Sequence, residues 1–231
     1  MKISGVVLSF FIALSVFASQ EAQETKEPKF IERDLIVKTD NEAAAKAYRI
    51  GTAMLLEDRA LEASQYLLKA IELEPDFIDA IDHLGVAYRK LKMYDKAEEV
   101  YKRSIQIDSG NLVPYLNLAL IYQMTDRAEE SVQAYKTAAK LAPDDPEPYY
   151  GIGVAYRSIG DYKQSIVYFD EAIKRYKAQN SELIYDAYAN QAENYYDLKS
   201  YKKALELYKI IVKRYPNATY CRDRIKELEA L

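Results

Sequence analysis

The sequence predicts an all-α protein in which pairs of helices stack into a solenoid. Three observations predict this fold class. A motif recurs every 34 residues, starting at Ala44, Ile78, Leu112 and Pro146, and it returns once more, five residues late, at Tyr185. Two positions of the motif hold only small residues. Two other positions hold large and mostly aromatic residues.

The small residues occupy the eighth and twentieth positions of each repeat, counted from the residues above. They are Gly51, Gly85, Ala119, Gly153 and Ala192, then Ala63, Ala97, Ser131, Ser165 and Ala204. The large residues occupy positions 11 and 24. They are Met54, Tyr88, Tyr122, Tyr156 and Tyr195, then Leu67, Tyr101, Tyr135, Phe169 and Tyr208. Small side chains let two helices cross closely, and large ones fill the adjoining holes. Each repeat is therefore predicted to be a helix pair that buries its apolar face only by stacking on its neighbours.

Positions 27 and 32 complete a pattern that resembles tetratricopeptide repeats. They hold Ala70, Ser104, Ala138, Ala172 and Ile211, then Pro75, Ser109, Pro143, Lys177 and Pro216. The resemblance implies a right-handed α-α superhelix of five repeats, at residues 44–77, 78–111, 112–145, 146–184 and 185–218. Because Lys177 replaces the helix-ending proline where the register slips, we expect either a longer second helix in repeat 4 or a longer loop at residues 179–181.

Residues 1–18 are predicted to be a signal peptide. Lys2 precedes a largely apolar run, and Val16 and Ala18 are the third and first residues before a cleavage site at Ser19. The run is shorter than the ~20 apolar residues that a membrane-spanning helix needs, although an uncleaved anchor is the alternative. We expect an exported protein, periplasmic in a bacterium or else secreted, without stable membrane insertion after cleavage.

The segments on either side of the repeats have separate predicted roles. Residues 19–38 combine a flexible tether with an apolar stretch that docks on the first repeat. Thr39 and Glu42 form a predicted capping box, which places the start of the first helix near Asp40. Residues 219–231 are predicted to be a capping helix with a polar outer face. Cys221, the single cysteine, either fills a small apolar position there or joins two chains through a disulfide.

Charge and composition exclude several function classes. The net charge is −4, and both signs are interleaved along the helices, which argues against a nucleic-acid partner. His83 is the only histidine, and no metal-ligand spacing surrounds it. The aspartates at positions 76, 79 and 82 suggest a calcium site, but a helix N-terminus, where negative charge is favoured, is the preferred explanation for the first two. We therefore predict no enzyme activity, no cofactor and no metal; a catalytic arrangement around His83 is the enzymatic alternative.

The family resemblance implies a concave groove, lined by positions 2, 5, 9, 12 and 13, that holds a peptide or a partner helix. With two asparagines at position 6, the predicted contact residues are Tyr48, Asp79, Asp82, Val86, Arg89, Val113, Leu116, Asn117, Leu120, Met124, Glu147, Tyr150, Val154, Arg157, Asn190, Glu193 and Tyr196. The middle of this set is apolar and its ends are acidic. We therefore expect a protein or peptide partner with apolar anchors and basic flanks.

Two further implications concern the kind of ligand. Family members that bind chaperones hold a C-terminal carboxylate with basic residues at fixed positions, and this chain has Tyr48, Asp79, Glu147 and Gly151 there instead. The alternative to a protein scaffold is a module that binds a hydrophobic small molecule, or that assists a membrane transporter or an envelope-assembly complex. That alternative requires a closed apolar pocket formed by Leu116, Leu120, Tyr150 and Val154.

Overall fold

Residues 38–230 are described by a computed structural model, and within this range the chain forms eleven helices and no strand. The helices are α1 Glu42–Leu56, α2 Ala60–Leu73, α3 Ile78–Lys90, α4 Tyr94–Ile107, α5 Leu112–Met124, α6 Ala128–Leu141, α7 Pro146–Ser158, α8 Tyr162–Ala178, α9 Ile184–Asp197, α10 Tyr201–Arg214 and α11 Thr219–Glu229. The all-α fold class is confirmed. The predicted signal peptide and the predicted tether lie outside the described residues.

Close helix crossings hold each pair together. Gly85 on α3 faces the ring of Tyr101 on α4, and a Cβ atom on Gly85 would lie 2.4 Å from the ring carbon Cζ. Gly153 on α7 faces Phe169 in the same way, at 2.9 Å. The residues at repeat positions 8, 20 and 24 are all buried. The two columns of small residues and the aromatic column at position 24 therefore form the core of each pair, as predicted.

The same left-handed turn joins the two helices of every repeat. Its φ is positive at position 15, which is Asp58, Lys92, Asp126, Gly160 or Lys199. The next amide donates a hydrogen bond to the carbonyl of position 11, as from Met93 N to Tyr88 O at 2.9 Å. This arrangement satisfies carbonyls at the end of the first helix and reverses the chain in three residues.

Helix α8 in repeat 4 is longer than the other second helices. It contains 17 residues, whereas α6 contains 14. It continues past Lys177 to Ala178 and ends in a turn in which Asn180 has a φ of +52°. This is the extension that the shifted register predicts. The extra turn carries Tyr176 into the space beside α7, where its side chain is buried.

The start of α1 differs from its prediction by two residues. The N-cap is Asn41, whose Oδ1 accepts a hydrogen bond from Ala44 N at 3.1 Å. Thr39 does not cap the helix, because its hydroxyl donates to the Glu74 carboxylate and accepts from Asn41 N at 2.9 Å. The predicted capping box at Thr39 and Glu42 is therefore wrong, and Asn41 supplies the cap instead.

Direct contacts between first helices set the curvature of the solenoid. Helices α1, α3, α5, α7 and α9 each contact the next in this series, and no comparable contact joins successive second helices in the described chain. The first helices therefore line the concave side. Positions 2, 5, 9, 12 and 13, from which the groove was predicted, all belong to these first helices.

Helix α11 closes the C-terminal end of the solenoid. It packs on α10 and buries Cys221 and Leu228, which are 4% and 7% exposed. Burial raises the pKa of the Cys221 thiol to about 11, with a smaller contribution from the Glu193 charge. The predicted capping helix is confirmed. Cys221 fills an apolar position inside the fold.

Candidate functional site

Helix α5 gives the concave face its apolar centre. Val113 and Met124 are 42% and 52% exposed, and Leu116 and Leu120 between them are half-buried. The two leucines pack on a core cluster that includes Val132. Because α5 carries apolar side chains on nearly all sides, packing against its neighbours leaves part of that surface facing the groove. Val86 on α3 and Val154 on α7, both half-buried, flank this surface.

Two carboxylates form an acidic end of the groove between α7 and α9. Glu147 is exposed, and its Oε1 accepts a hydrogen bond from Tyr176 at 2.5 Å. Asn190 Nδ2 donates to the Tyr150 hydroxyl at 3.1 Å and to the carbonyl of Asp186 at 2.9 Å. The extended part of α8 thus brings Tyr176 to a position where it orients Glu147.

Asp186 carries a perturbed carboxyl group at this end. Burial raises its pKa from 3.8 to about 6, and the neighbouring Glu147 charge adds to the shift. No cation forms an ion pair with Asp186 in the part of the chain that the structure describes. A positively charged group that entered the groove here would face two carboxylates and relieve their repulsion.

Four predicted contact residues are covered by the protein itself. Tyr48 is 4% exposed and packs on Phe77 and on His83, with ring centroids 5.0 and 5.2 Å apart. Asp82 is buried, and its Oδ2 accepts a hydrogen bond from Asn111 at 2.7 Å. Neither residue presents its side chain to a partner, because the stacking of successive repeats encloses both.

The capping helix covers the other two, Glu193 and Tyr196. The Glu193 carboxylate accepts hydrogen bonds from Tyr208 and Tyr220 and lies 3.4 Å from an Arg224 nitrogen. The Tyr196 hydroxyl donates to Glu227 at 2.5 Å, and the Arg224 guanidinium lies 4.1 Å from the centre of the Tyr196 ring. Helix α11 therefore buries Glu193 and contacts the half-buried Tyr196, whereas Asp186 and Asn190 of the same repeat lie at the acidic end.

The remaining polar candidates differ in how their side chains are engaged. Asp79 is half-buried near the start of α3. Asn117 donates to the carbonyl of Val113 in its own helix, at 3.0 Å. Arg157 pairs with Asp197 at 3.0 Å. Arg89 is half-buried, and its Nε is buried without a hydrogen-bond partner among the described residues.

Tyr176 and Asp186 belong to the acidic end and are absent from the contact residues named above, although Asp186 lies at one of the predicted groove positions. Tyr176 lies in the extension of α8, so the shift in register was the signal that marked this region. Asp186 occupies position 2 of repeat 5 and belonged to the groove pattern. Its significance arises from its burial beside Glu147, which spacing in the sequence does not reveal.

The described chain also bears on the other predicted ligands. A cleft of about 190 Å³ is lined by Lys38, Asp76, Phe77, Ile78, Asp79, Asp108 and Asn111. None of the four residues of the alternative apolar pocket lines it; Leu116 and Leu120, and likewise Tyr150 and Val154, instead pack against core clusters. Among residues 38–230, no group of three or more histidine, cysteine, aspartate or glutamate side chains is placed to hold a metal ion. Within the same residues, none of the helices combines the length and apolar character that crossing a membrane requires.

Comparisons with known proteins agree with this architecture. Three tetratricopeptide repeat models match residues 83–111, 111–178 and 150–219. The mouse protein O-mannosyl-transferase TMTC3 is 35% identical over 66 residues, which are 29% of this chain and 7% of that protein. The chain thus spans a small fraction of that relative's length.

Two solved structures share the fold. A tetratricopeptide repeat protein from Parabacteroides merdae superimposes with a TM-score of 0.69 at 16% identity, over 80% of this chain and 72% of the other. YrrB, described as a tetratricopeptide repeat protein with an unusual peptide-binding site, superimposes with a TM-score of 0.64 at 17% identity, over 81% and 94%. Together with the three matching models and the helix pairs described above, these similarities establish that the chain belongs to the tetratricopeptide repeat family.

Proposed function

We propose that this protein is an exported, non-enzymatic scaffold of the cell envelope that binds a segment of a partner protein in its concave groove. The exposed apolar surface of α5 carries the proposal. Val113 and Met124 are about half exposed on the inner face of the solenoid, where an apolar partner side chain would be shielded from water. YrrB, which has the same fold, supports the choice of a peptide ligand.

The charges around this surface define the chemistry of the partner. Glu147 and Asp186 lie on the repeat 4 and 5 side of α5, and Asp79 lies on the opposite side. A partner segment with aliphatic or aromatic anchors on α5 and a lysine or arginine at Glu147 and Asp186 would complement the groove. Because Glu193 and Asp197 already pair with Arg224 and Arg157, the basic flanks would face these three carboxylates instead.

Binding to the groove can be tested with peptides selected from a random displayed library on residues 19–231. We expect Val113→Glu combined with Leu116→Glu to weaken the selected peptides at least tenfold, because each charge enters the apolar contact. Burial of one such side chain contributes about 1.5–3 kcal/mol, which is tenfold or more in affinity.

The matched control is Leu61→Glu with Ile210→Glu, two substitutions at exposed apolar positions on second helices. Circular dichroism melts would show that both variants remain folded. Equal affinity of the peptides for the wild type and the groove variant would refute binding on α5.

Export is tested separately by expressing the full chain in a bacterium that has an outer membrane and therefore a periplasm. We expect the protein in the periplasmic fraction, with Ser19 as its first residue by intact-mass measurement, because Val16 and Ala18 form the cleavage site. A protein that keeps residues 1–18 and stays in the cytoplasm would contradict the exported location without affecting the groove.

A further inference from the structure

Two repeats place an arginine at the same position of the first helix. Arg89 and Arg157 both occupy position 12, on α3 and α7. Each of these helices contacts the first helix of the next repeat, α5 in one case and α9 in the other. Both arginines therefore lie on a first helix that contacts the first helix of the next repeat, so the residues at matching repeat positions can be compared.

The next repeat gives Arg157 two polar partners. Its Nη2 pairs with the Asp197 carboxylate at 3.0 Å, and its Nη1 donates to Asn194 Oδ1 at 2.5 Å. Asn194 is itself fixed, because its Nδ2 donates to the Ser165 hydroxyl at 2.7 Å. Asp197 and Asn194 occupy positions 13 and 10 of repeat 5. This arginine serves the contact between repeats 4 and 5.

The matching positions of repeat 3 are apolar. Positions 13 and 10 of repeat 3 hold Met124, which is 52% exposed, and Ile121, which is fully buried. No carboxylate pairs with Arg89 in the described part of the chain, and its Nε has no hydrogen-bond partner there.

The surroundings of Arg89 make an unpaired cation costly. The Tyr101 side chain nearby is fully buried, and no carboxylate forms a hydrogen bond with its hydroxyl in the described structure. Burial raises the pKa of Tyr101, and the Arg89 guanidinium partly offsets this effect. A half-buried guanidinium beside apolar side chains gains more from a carboxylate than one in open water, since water screens the attraction less.

We propose that Arg89 binds an aspartate or glutamate side chain of the partner segment, taking from the partner the carboxylate that Asp197 supplies to Arg157. The inference rests on the proposed function, because it assigns one contact within the same groove. It also gives the segment a direction: its acidic residue lies at Arg89, and a basic residue lies at Glu147 and Asp186. Asp79, which faces the other basic flank, lies at the opposite end of α3 from Arg89. An internal side chain fits better than a chain terminus, because exposed apolar surface on α5 continues from Met124 to Val113.

The test introduces a carboxylate near Arg89 by a substitution in the protein itself, so that Arg89 no longer needs one from the partner. Met124→Asp places an aspartate at position 13 of repeat 3, where Asp197 stands in repeat 5, and it changes an exposed residue. The neutral control is Met124→Asn, which has nearly the same shape. For terminally capped synthetic copies of peptides selected on the wild type, we expect about a tenfold loss of affinity with Arg89→Gln. Both Met124 variants remove an apolar contact, so the expected sign of the new ion pair is that Met124→Asp binds the peptides about tenfold more weakly than Met124→Asn.

The peptide provides the second arm of the test. We expect selected peptides to share an aspartate or glutamate, and its change to asparagine or glutamine should weaken binding to the wild type about tenfold but leave binding to Arg89→Gln unchanged. Peptides that depend on Val113 and Leu116 but tolerate Met124→Asp and Arg89→Gln would overturn the assignment of Arg89 alone. Peptides that bind only with a free C-terminal carboxylate would overturn the side-chain source. Loss of dependence on Val113 and Leu116 would refute the proposed function itself.

Discussion

Asp186 is a residue whose charge state is controlled by the fold. Its carboxyl group lies close to Glu147 and is largely removed from water, so ionisation costs more in the folded chain than in the unfolded chain. The pKa rises from 3.8 to about 6. The folded chain therefore holds this proton more tightly. The resulting stabilisation is fully present below about pH 4 and is lost as the pH rises through 6.

Asp186→Asn should remove this dependence on pH. A shift of about two pKa units corresponds to roughly 3 kcal/mol, so the variant should gain up to that amount over the wild type between pH 4 and pH 7.5. Urea unfolding at several pH values measures the difference in unfolding free energy between the variant and the wild type. The contributions of the other titrating groups cancel in this difference. Asp95→Asn, at an exposed position on α4, is the control. If the free energy of unfolding changed with pH in the same way for the wild type and Asp186→Asn, the raised pKa of the Asp186 carboxyl group would be contradicted.

At the same scale, the difference between Arg89 and Arg157 shows where prediction from sequence ends. Both were assigned to the groove because both occupy position 12. Only the structure shows that positions 13 and 10 of the next repeat, Asp197 and Asn194, bind Arg157. The same positions of repeat 3 hold Met124 and Ile121. One arginine is therefore held by the next repeat, and the other has no carboxylate partner in the described chain.

At the scale of elements, the helix pairs could be predicted because their determinants are local and repeat. Gly85 and Tyr101 meet at a close crossing, and the same pair of positions recurs along the chain. The left-handed turn at position 15 was less visible, since only Gly160 among its five residues is a glycine. Aspartate or lysine holds the other four, and the hydrogen bond back to position 11 keeps φ positive at each.

The ends of elements depended on competing side chains. Thr39 and Glu42 have the spacing of a capping box, yet Asn41 caps α1 because Thr39 is held by Glu74, thirty-five residues away. Glu193 and Tyr196 have groove positions, yet α11 covers them through Arg224 and Glu227. Contacts between residues this far apart in sequence are not encoded in the repeat pattern, so neither outcome followed from it.

At the scale of the whole molecule, the solenoid is stabilised mainly by contacts between consecutive helices. Each helix packs mainly on the helices before and after it, and long contacts between distant repeats are missing from the described chain. Stability is then close to a sum of terms for single repeats and their interfaces. Damage at one end is expected to remain near that end.

Leu228→Ala in α11 tests this expectation. Leu228 is 7% exposed, and loss of a buried leucine side chain costs about 2–5 kcal/mol. Because α11 packs on α10 and encloses Glu193 and Tyr196, its loosening should expose the last repeat first. We expect amide hydrogen exchange, measured by mass spectrometry, to rise at least tenfold in α9, α10 and α11 and to stay unchanged in α1 to α4. Ile210→Ala, at a position 44% exposed on α10, should have little effect. A uniform rise over all eleven helices would mean that the solenoid unfolds as one cooperative unit, and that the cap stabilises the distant α5 groove as much as it stabilises repeat 5.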